Sequence, residues 1–320
     1  MKNTSKFLFL ILFLLGTIKT FATTWNEPWA DKVIKDADYF VLAKILSFNE
    51  KSVKIEIVKQ LGGKKLPKEV TITGFYGLGT KGSVSAGRFF EFIFNKNIKK
   101  SYFFIKKDAK GNYCIATPTA GWDYVVGENV CAAYRHSYHQ ALVPVDIYEL
   151  TMSAIFNHYR QLPYDKKQIT DLIDKQLSKK PAGFDKTEVN TFYLQHVALE
   201  TIFHLRLEGY YSQILPFFND TSNFHNRVSA ARALVTCNND ETKKLLLNKI
   251  ETNDNDNFIT VICIWTLKEF NPKTLKSELQ KLIENASTKE TGFGGNLMDP
   301  RVGTRFPNVK EALIDLISTL

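Results

Sequence analysis

The stretch SVKIEIVKQLGGKKLPKEVTITGF, Ser52 to Phe75, decides how the first half of the chain is read. Val53, Ile55 and Ile57 alternate with Lys54 and Glu56, a period of two that predicts a strand with one buried and one wet face. Gly62-Gly63 then marks a turn, and EVTITGF supplies the next strand. Working outward, YFVLAKILSF precedes this pair, and RFFEFIF, SYFFIKK, NYCIAT and VCAAY follow it. All are rich in Val, Ile, Phe and Tyr, and the breaks fall at Gly77 to Gly82, Lys96 to Lys100 and Lys110-Gly111-Asn112. Six or seven short strands from Tyr39 to Tyr134 without intervening helices predict a small barrel or sandwich.

The segments DADYFVLAKILSF and VKIEIVKQLGGKKLPKEVTITGF resemble the netrin-like and tissue-inhibitor-of-metalloproteinase type of OB barrel found in secreted bacterial proteins. The resemblance covers about one third of the chain and implies a small antiparallel, OB-like β-barrel. Members that inhibit metalloproteinases chelate the target's zinc with an N-terminal cysteine, whereas TTWNEPW, residues 23–29, contains none.

Beyond the barrel the period changes. Pro144 suits the first position of a helix, and Val145, Tyr148, Met152, Ile155 and Tyr159 recur at helical spacing over 145–160. A second helix over 165–178 would bury Ile169, Leu172 and Ile173, and KKPAGFDK, Lys179 to Lys186, reads as a linker. From Glu188 onward a repeat emerges. Shifting by 33 residues places Ala230, Ala231, Leu234 and Cys237 on Cys263, Ile264, Leu267 and Phe270. The same shift carries Leu246 to Leu279 and Ala312, and Ile250 to Ile283 and Leu316. A shift of 32 adds an earlier unit containing Ala198, Ile202, Leu205, Ile214 and Phe218. Each unit therefore reads as a helix pair, and stacked pairs bury a core that no single pair can bury. FHNRVSAARALVTC resembles the first helix of a HEAT or armadillo-type repeat, with small residues at Ala230, Ala231 and Ala233 after Arg227. In the last unit the first helix is replaced by TGFGGNLMDPRVGTRFPN, Thr291 to Asn308, read as a cap or a binding loop.

These readings predict an α+β chain: a signal peptide over 1–22, a β-barrel domain over 23–142, connecting helices and linker over 143–187, and a HEAT-like repeat domain over 188–320. Lys2 and Lys6 precede the apolar run Phe7 to Gly16, and Thr20-Phe-Ala22 offers a cleavage site. The run is shorter than the roughly 20 residues of a spanning helix, and no later segment qualifies as one. The expectation is an exported protein, periplasmic or secreted, that starts near Thr23. Removing the three lysines of 1–22 lowers the formal charge from +9 to +6, all of it within residues 23–135, where 18 Lys and Arg face 11 Asp and Glu. Such clusters solvate strand ends or meet an anionic surface.

The densest polar chemistry lies in VCAAYRHSYH, Val130 to His139. A disulfide between Cys114 and Cys131 is expected, since both sit in strand-like runs of an exported chain, while Cys237 and Cys263 read as buried small hydrophobes. His136 and His139 would diverge on a strand and converge on a helix. As a zinc pair they need a further ligand, with Glu128, Asp146, Glu149 and His158 near in sequence. Cys131 and Ser137 lack the partners or the elbow of a nucleophile. Tyr134, Arg135, His136, Tyr138 and His139, with Trp122, are instead read as exposed residues of binding character, suited to a protein partner or an envelope polysaccharide, although Trp122 could equally plug the barrel end. Nucleic acid is not expected as a partner, and no cofactor is expected. The leading expectation is a non-catalytic binding or scaffold module. The alternatives are a metal-assisted hydrolase using His136 and His139, and a secreted protease inhibitor acting through the barrel.

Overall fold

The computed structural model describes residues 25–49, 51–75, 81–83, 89–91, 98–135, 141–252, 256–295 and 302–320. The expected signal segment lies outside these residues. The strands are β1 (Trp25–Asn26), β2 (Tyr39–Phe48), β3 (Ser52–Gly62), β4 (Glu69–Thr73), β5 (Lys81–Ser83), β6 (Phe89–Glu91) and β7 (Lys100–Lys107), followed by β8 (Tyr113–Cys114), β9 (Trp122–Val126), β10 (Asn129–Ala132), β11 (Ala141–Pro144), β12 (Thr291–Gly295) and β13 (Val302–Phe306). The helices are α1 (Ala30–Asp36), α2 (Val145–His158), α3 (Lys166–Leu177), α4 (Val189–Leu205), α5 (Tyr211–Asn219) and α6 (Phe224–Ala233), then α7 (Asp240–Thr252), α8 (Asn257–Glu269), α9 (Lys276–Leu282) and α10 (Val309–Ser318).

Strands β7, β2, β3, β4 and β8 close into a five-strand barrel, and β9, β10 and β11 extend the sheet outward from β7. The expected antiparallel barrel is in fact mixed: β4 and β8 run parallel through Thr73 and Cys114. An odd number of strands cannot close with every neighbour antiparallel, so a five-strand ring must contain a parallel pair. Val41, Val53, Ile55, Ile72, Phe103 and Ile105 fill the barrel interior. The alternating strand β3 has one face in this core, as its pattern requires. By contrast, the near-continuous apolar runs of β2 and β7 are buried on both faces. Their outer residues Phe40, Tyr102 and Phe104 belong to the helical core, with Phe40 and Phe104 stacked at a 4.4 Å centroid distance. One continuous core thus runs from the outer face of the barrel sheet through α2 and α4 to Leu316 of α10.

Helices α4 to α10 occupy the region read as helix pairs. Helices α6 and α8 begin 33 residues apart, and their N-caps Asn223 and Asp256 each accept a backbone N–H three residues on. Of the residues superimposed by the shift, Ala230, Cys263, Leu246, Leu279 and Ala312 are buried, and Ile283 is half-buried. Successive first helices α4, α6 and α8 pack side by side. The Gly-rich replacement of the last first helix contributes β12 and β13, and β1 pairs parallel with β13, tying the two ends of the described chain into one sheet. The segment read as a linker is pinned: Gln195 accepts from Ala182 N–H and donates to the Lys180 carbonyl, both at 2.8 Å, and Asn223 donates to the Ala182 carbonyl at 2.8 Å.

The Cys114–Cys131 disulfide does not form, and both cysteines are free. Cys114 lies on β8 and Cys131 on β10, with β7 and β9 between them. At about 4.8 Å per strand that interval far exceeds the roughly 7 Å Cα limit of a disulfide. Cys237 and Cys263 are buried, as read.

Where β3 leaves the barrel, two adjacent glycines permit close approach. A Cβ on Gly62 would enter the Phe156 ring, and Gly63 combines φ +82° with the Asp38 carbonyl oxygen directly against its Cβ position. Gly63→Ala should therefore destabilise the protein by about 1–3 kcal/mol, measured as a lower urea midpoint with unchanged slope.

Candidate functional site

The Val130 stretch enters the interior rather than the surface. After β10, Tyr134 and Arg135 turn beneath the helices, Arg135 only 1 % exposed. This overturns the expected exposure of Tyr134 and Arg135, and of the two readings of Trp122 the barrel plug holds: all three are buried. Trp122 fills the barrel core and donates its indole N–H to the Pro118 carbonyl at 3.2 Å. The other three candidates, His136, Tyr138 and His139, lie outside the described residues.

Arg135 Nε is 3.7 Å from Glu200 Oε1 on α4, and Arg232 Nε of α6 is 3.2 Å from Glu200 Oε2. One fully buried carboxylate thus faces two arginines from two different parts of the chain. Arg135 also donates to His225 Nδ1 at 3.2 Å, and its carbonyl accepts the Ala30 N–H that opens α1. On the other side of Tyr134, His204 receives or donates at 2.7 Å to Tyr159 of α2 and lies 3.4 Å from the Tyr134 carbonyl. Barrel exit, α1, α2, α4 and α6 therefore meet in one polar network.

Ser229, His196 and Glu200 within this network have the residue types of a nucleophile, base and acid. The serine hydroxyl donates to Glu200 Oε1 at 2.6 Å, and its oxygen lies 3.2 Å from His196 Nδ1. With its proton committed to the carboxylate, the serine must accept from the histidine, which is the reverse of general-base activation. All three are buried with no exposed surface, so the trio is structural. Among the described residues no group of three or more His, Cys, Asp or Glu is placed to hold a metal ion.

Burial, then the neighbouring Arg135, holds His196 well below its ordinary range and His225 near 4. Burial likewise lowers His204. Asp123 moves oppositely: burial raises its carboxyl to about 7, although Tyr148 donates to it at 2.5 Å.

On the far side of Arg232 lies a groove of about 480 Å³ that opens to solvent. Trp29 and Asp31 contribute from the N-terminal segment, Phe203 from α4, Arg232 from α6, Trp265 and Lys268 from α8, and Asp315 from α10. The Arg232 guanidinium lies over the Trp29 ring at 4.4 Å and the Phe203 ring at 3.9 Å. Trp29 and Trp265 meet edge to face at 6.1 Å, and both contact Phe306. Burial opposes ionisation of Asp31, yet Arg232, His204 and Lys35 together hold its carboxyl below the usual range. The groove was not anticipated. The 33-residue shift places Arg232 on Trp265 and Val235 on Lys268, the 32-residue shift places Phe203 on Val235, and all five residues line the groove.

Compared with known proteins, the chain matches no family model, no curated protein and no solved structure.

Glu200→Gln removes the only charge shared by Arg135 and Arg232 in the network described, and should destabilise the protein by about 3–5 kcal/mol in urea unfolding. The histidines add a pH dependence. Their folded pKa values lie below the unfolded value of about 6.5, so the unfolded chain takes up protons that the fold refuses, and their stabilisation is lost as pH falls from about 6.5 towards 4. Asp123, whose folded pKa is raised, has the opposite sign and contributes stability that is lost as pH rises from about 4 through 7. Urea midpoints across this range should keep the acid-side fall in Asp123→Asn and lose the neutral-side decline.

Proposed function

We propose that this chain is an exported, non-catalytic binding protein whose ligand occupies the groove between the N-terminal segment and helices α4, α6, α8 and α10. The observation that carries the reading is the groove itself. It is open, of a volume within the roughly 300–1,000 Å³ of small-ligand sites, and built from aromatic rings with a few convergent polar groups. The buried Glu200 network supports it by holding Arg232, one wall of the groove, in a single position.

The barrel is read as OB-type. In support, its ring order β2-β3-β4-β8-β7 joins a three-strand meander to a parallel closing pair. The helix pairs are read as HEAT or armadillo-type repeats, a family of surfaces that presents one face of successive helices to a ligand. In support, the 33-residue shift places Arg232 on Trp265, and both line the groove. Export is read from Lys2, Lys6 and the apolar run that follows, and among the described residues no helix is long and apolar enough to cross a membrane.

A photo-crosslinking amino acid placed at Lys268, on the groove, and at Lys68, on the barrel, tests the reading in the living cell. Irradiation should yield a discrete adduct from position 268 and none from position 68. No adduct at 268, or turnover of a substrate by the purified chain, would overturn it.

A further inference from the structure

We infer that the groove is a binding site for a neutral saccharide; this rests on the groove being the ligand site proposed above. The first observation is the charge balance. Each charged group in or bordering the groove is already paired: Arg232 with Glu200 at 3.2 Å, Lys268 with Asp315 at 2.6 Å, Arg206 with Glu269 at 3.4 Å, and Lys35 with Asp31 at 3.6 Å. Each charged residue that lines the groove thus has an opposite charge beside it, although Arg232 shares Glu200 with Arg135. A charged ligand entering here would compete with these pairs for their partners, whereas a neutral one leaves every pair in place.

The second observation is the state of the aromatic rings. A site for an ammonium or guanidinium ligand presents ring faces to receive it. Here the rings of Trp29 and Phe203 already hold the guanidinium of Arg232, so the chain's own arginine occupies that role. Trp265 is half-buried at the groove wall, and among the described residues its ring makes aromatic contacts with Trp29 and Phe306. A tryptophan wall beside the paired donors Lys268 and Arg232 and the acceptors Asp31 and Asp315 matches a molecule with an apolar face and a rim of hydroxyls. A sugar ring has that form: its C–H face lies on the indole, while each hydroxyl both donates and accepts. The hydroxyls join existing ion pairs as further hydrogen-bond partners and require none of them to open.

The third observation is the extension of the site. Residues of successive helices line the groove, α4 Phe203, α6 Arg232 and α8 Trp265 and Lys268, with α10 Asp315 beyond. A wall built from a row of helices suits a chain of sugars lying across them better than a single ring.

Titration of the mature chain with maltohexaose, cellohexaose and the hexamer of N-acetylglucosamine, followed by tryptophan fluorescence, tests the assignment. At least one should give a saturable change, weakened by about tenfold or more in Trp265→Ala. Should Trp265→Ala unfold early, Asp315→Asn on the exposed rim should weaken binding with the wild-type unfolding midpoint retained. Octalysine and a heparin-derived hexasaccharide serve as the charged arms. Groove-dependent binding of either, with the neutral sugars silent, overturns the saccharide assignment and leaves the binding reading standing. Silence of every probe together with an adduct at position 268 does the same. Silence of every probe with no such adduct overturns both.

Discussion

Glu200 is the constraint on which the junction of barrel and helices depends. Its carboxylate is fully buried on α4 and sits between Arg135, delivered by the last part of the barrel sheet, and Arg232, delivered by the second helix pair. Both arginines face the one carboxylate, so the geometry that places one also constrains the other. Buried pairs of this kind add little net stability over apolar packing, but they tolerate few alternative arrangements. The network therefore sets where the helical row begins relative to the sheet, and the groove, with Arg232 as its wall, inherits that placement.

The apolar packing follows the same logic on a larger scale. Strands β2 and β7 are buried on both faces, one face inside the barrel and the other against α1 and α2. Phe40, Tyr102 and Phe104 would be a large exposed aromatic patch on an isolated barrel. Covered by α2, they join a core that continues into the repeats. Tyr102 reaches across to Glu149 of α2 at 3.0 Å, and Lys59 of β3 pairs with the same carboxylate at 2.5 Å, so the seam is closed at its wet edge as well. The parallel contact of β1 with β13 joins the start and the end of the described chain, which brings Trp29 into the aromatic group with Trp265 and Phe306. Without that contact the groove would lack one of its walls.

Local periodicity carried much of the architecture. The alternation in Ser52 to Phe75 names β3 and β4, the helical spacing after Pro144 names α2, and Asp165, Asn223, Asp256 and Asn308 cap their helices with side chains suited to that task. The short elements α1, β9 and β11 escaped notice because two to seven residues carry too little period to read. Misreading VCAAYRHSYH had a different cause. Arginine and tyrosine beside histidines suggest a surface when only neighbours in sequence are visible, whereas Arg135 is internal because a carboxylate 65 positions later lies against it. The Cys114–Cys131 expectation failed for a related reason: adjacency of runs in sequence does not make them adjacent strands.

The sequence by itself determined many of the element types and the change from a period of two to a helical period near Pro144, because each depends on residues within one or two turns. Only the tertiary structure decided that five strands close with a parallel pair, that both faces of β2 and β7 are interior, that Arg135 and Arg232 share Glu200, and that Trp29 meets Trp265. Those outcomes depend on contacts between segments far apart in the chain, where burial and charge neutralisation select one partner among many that composition alone would allow.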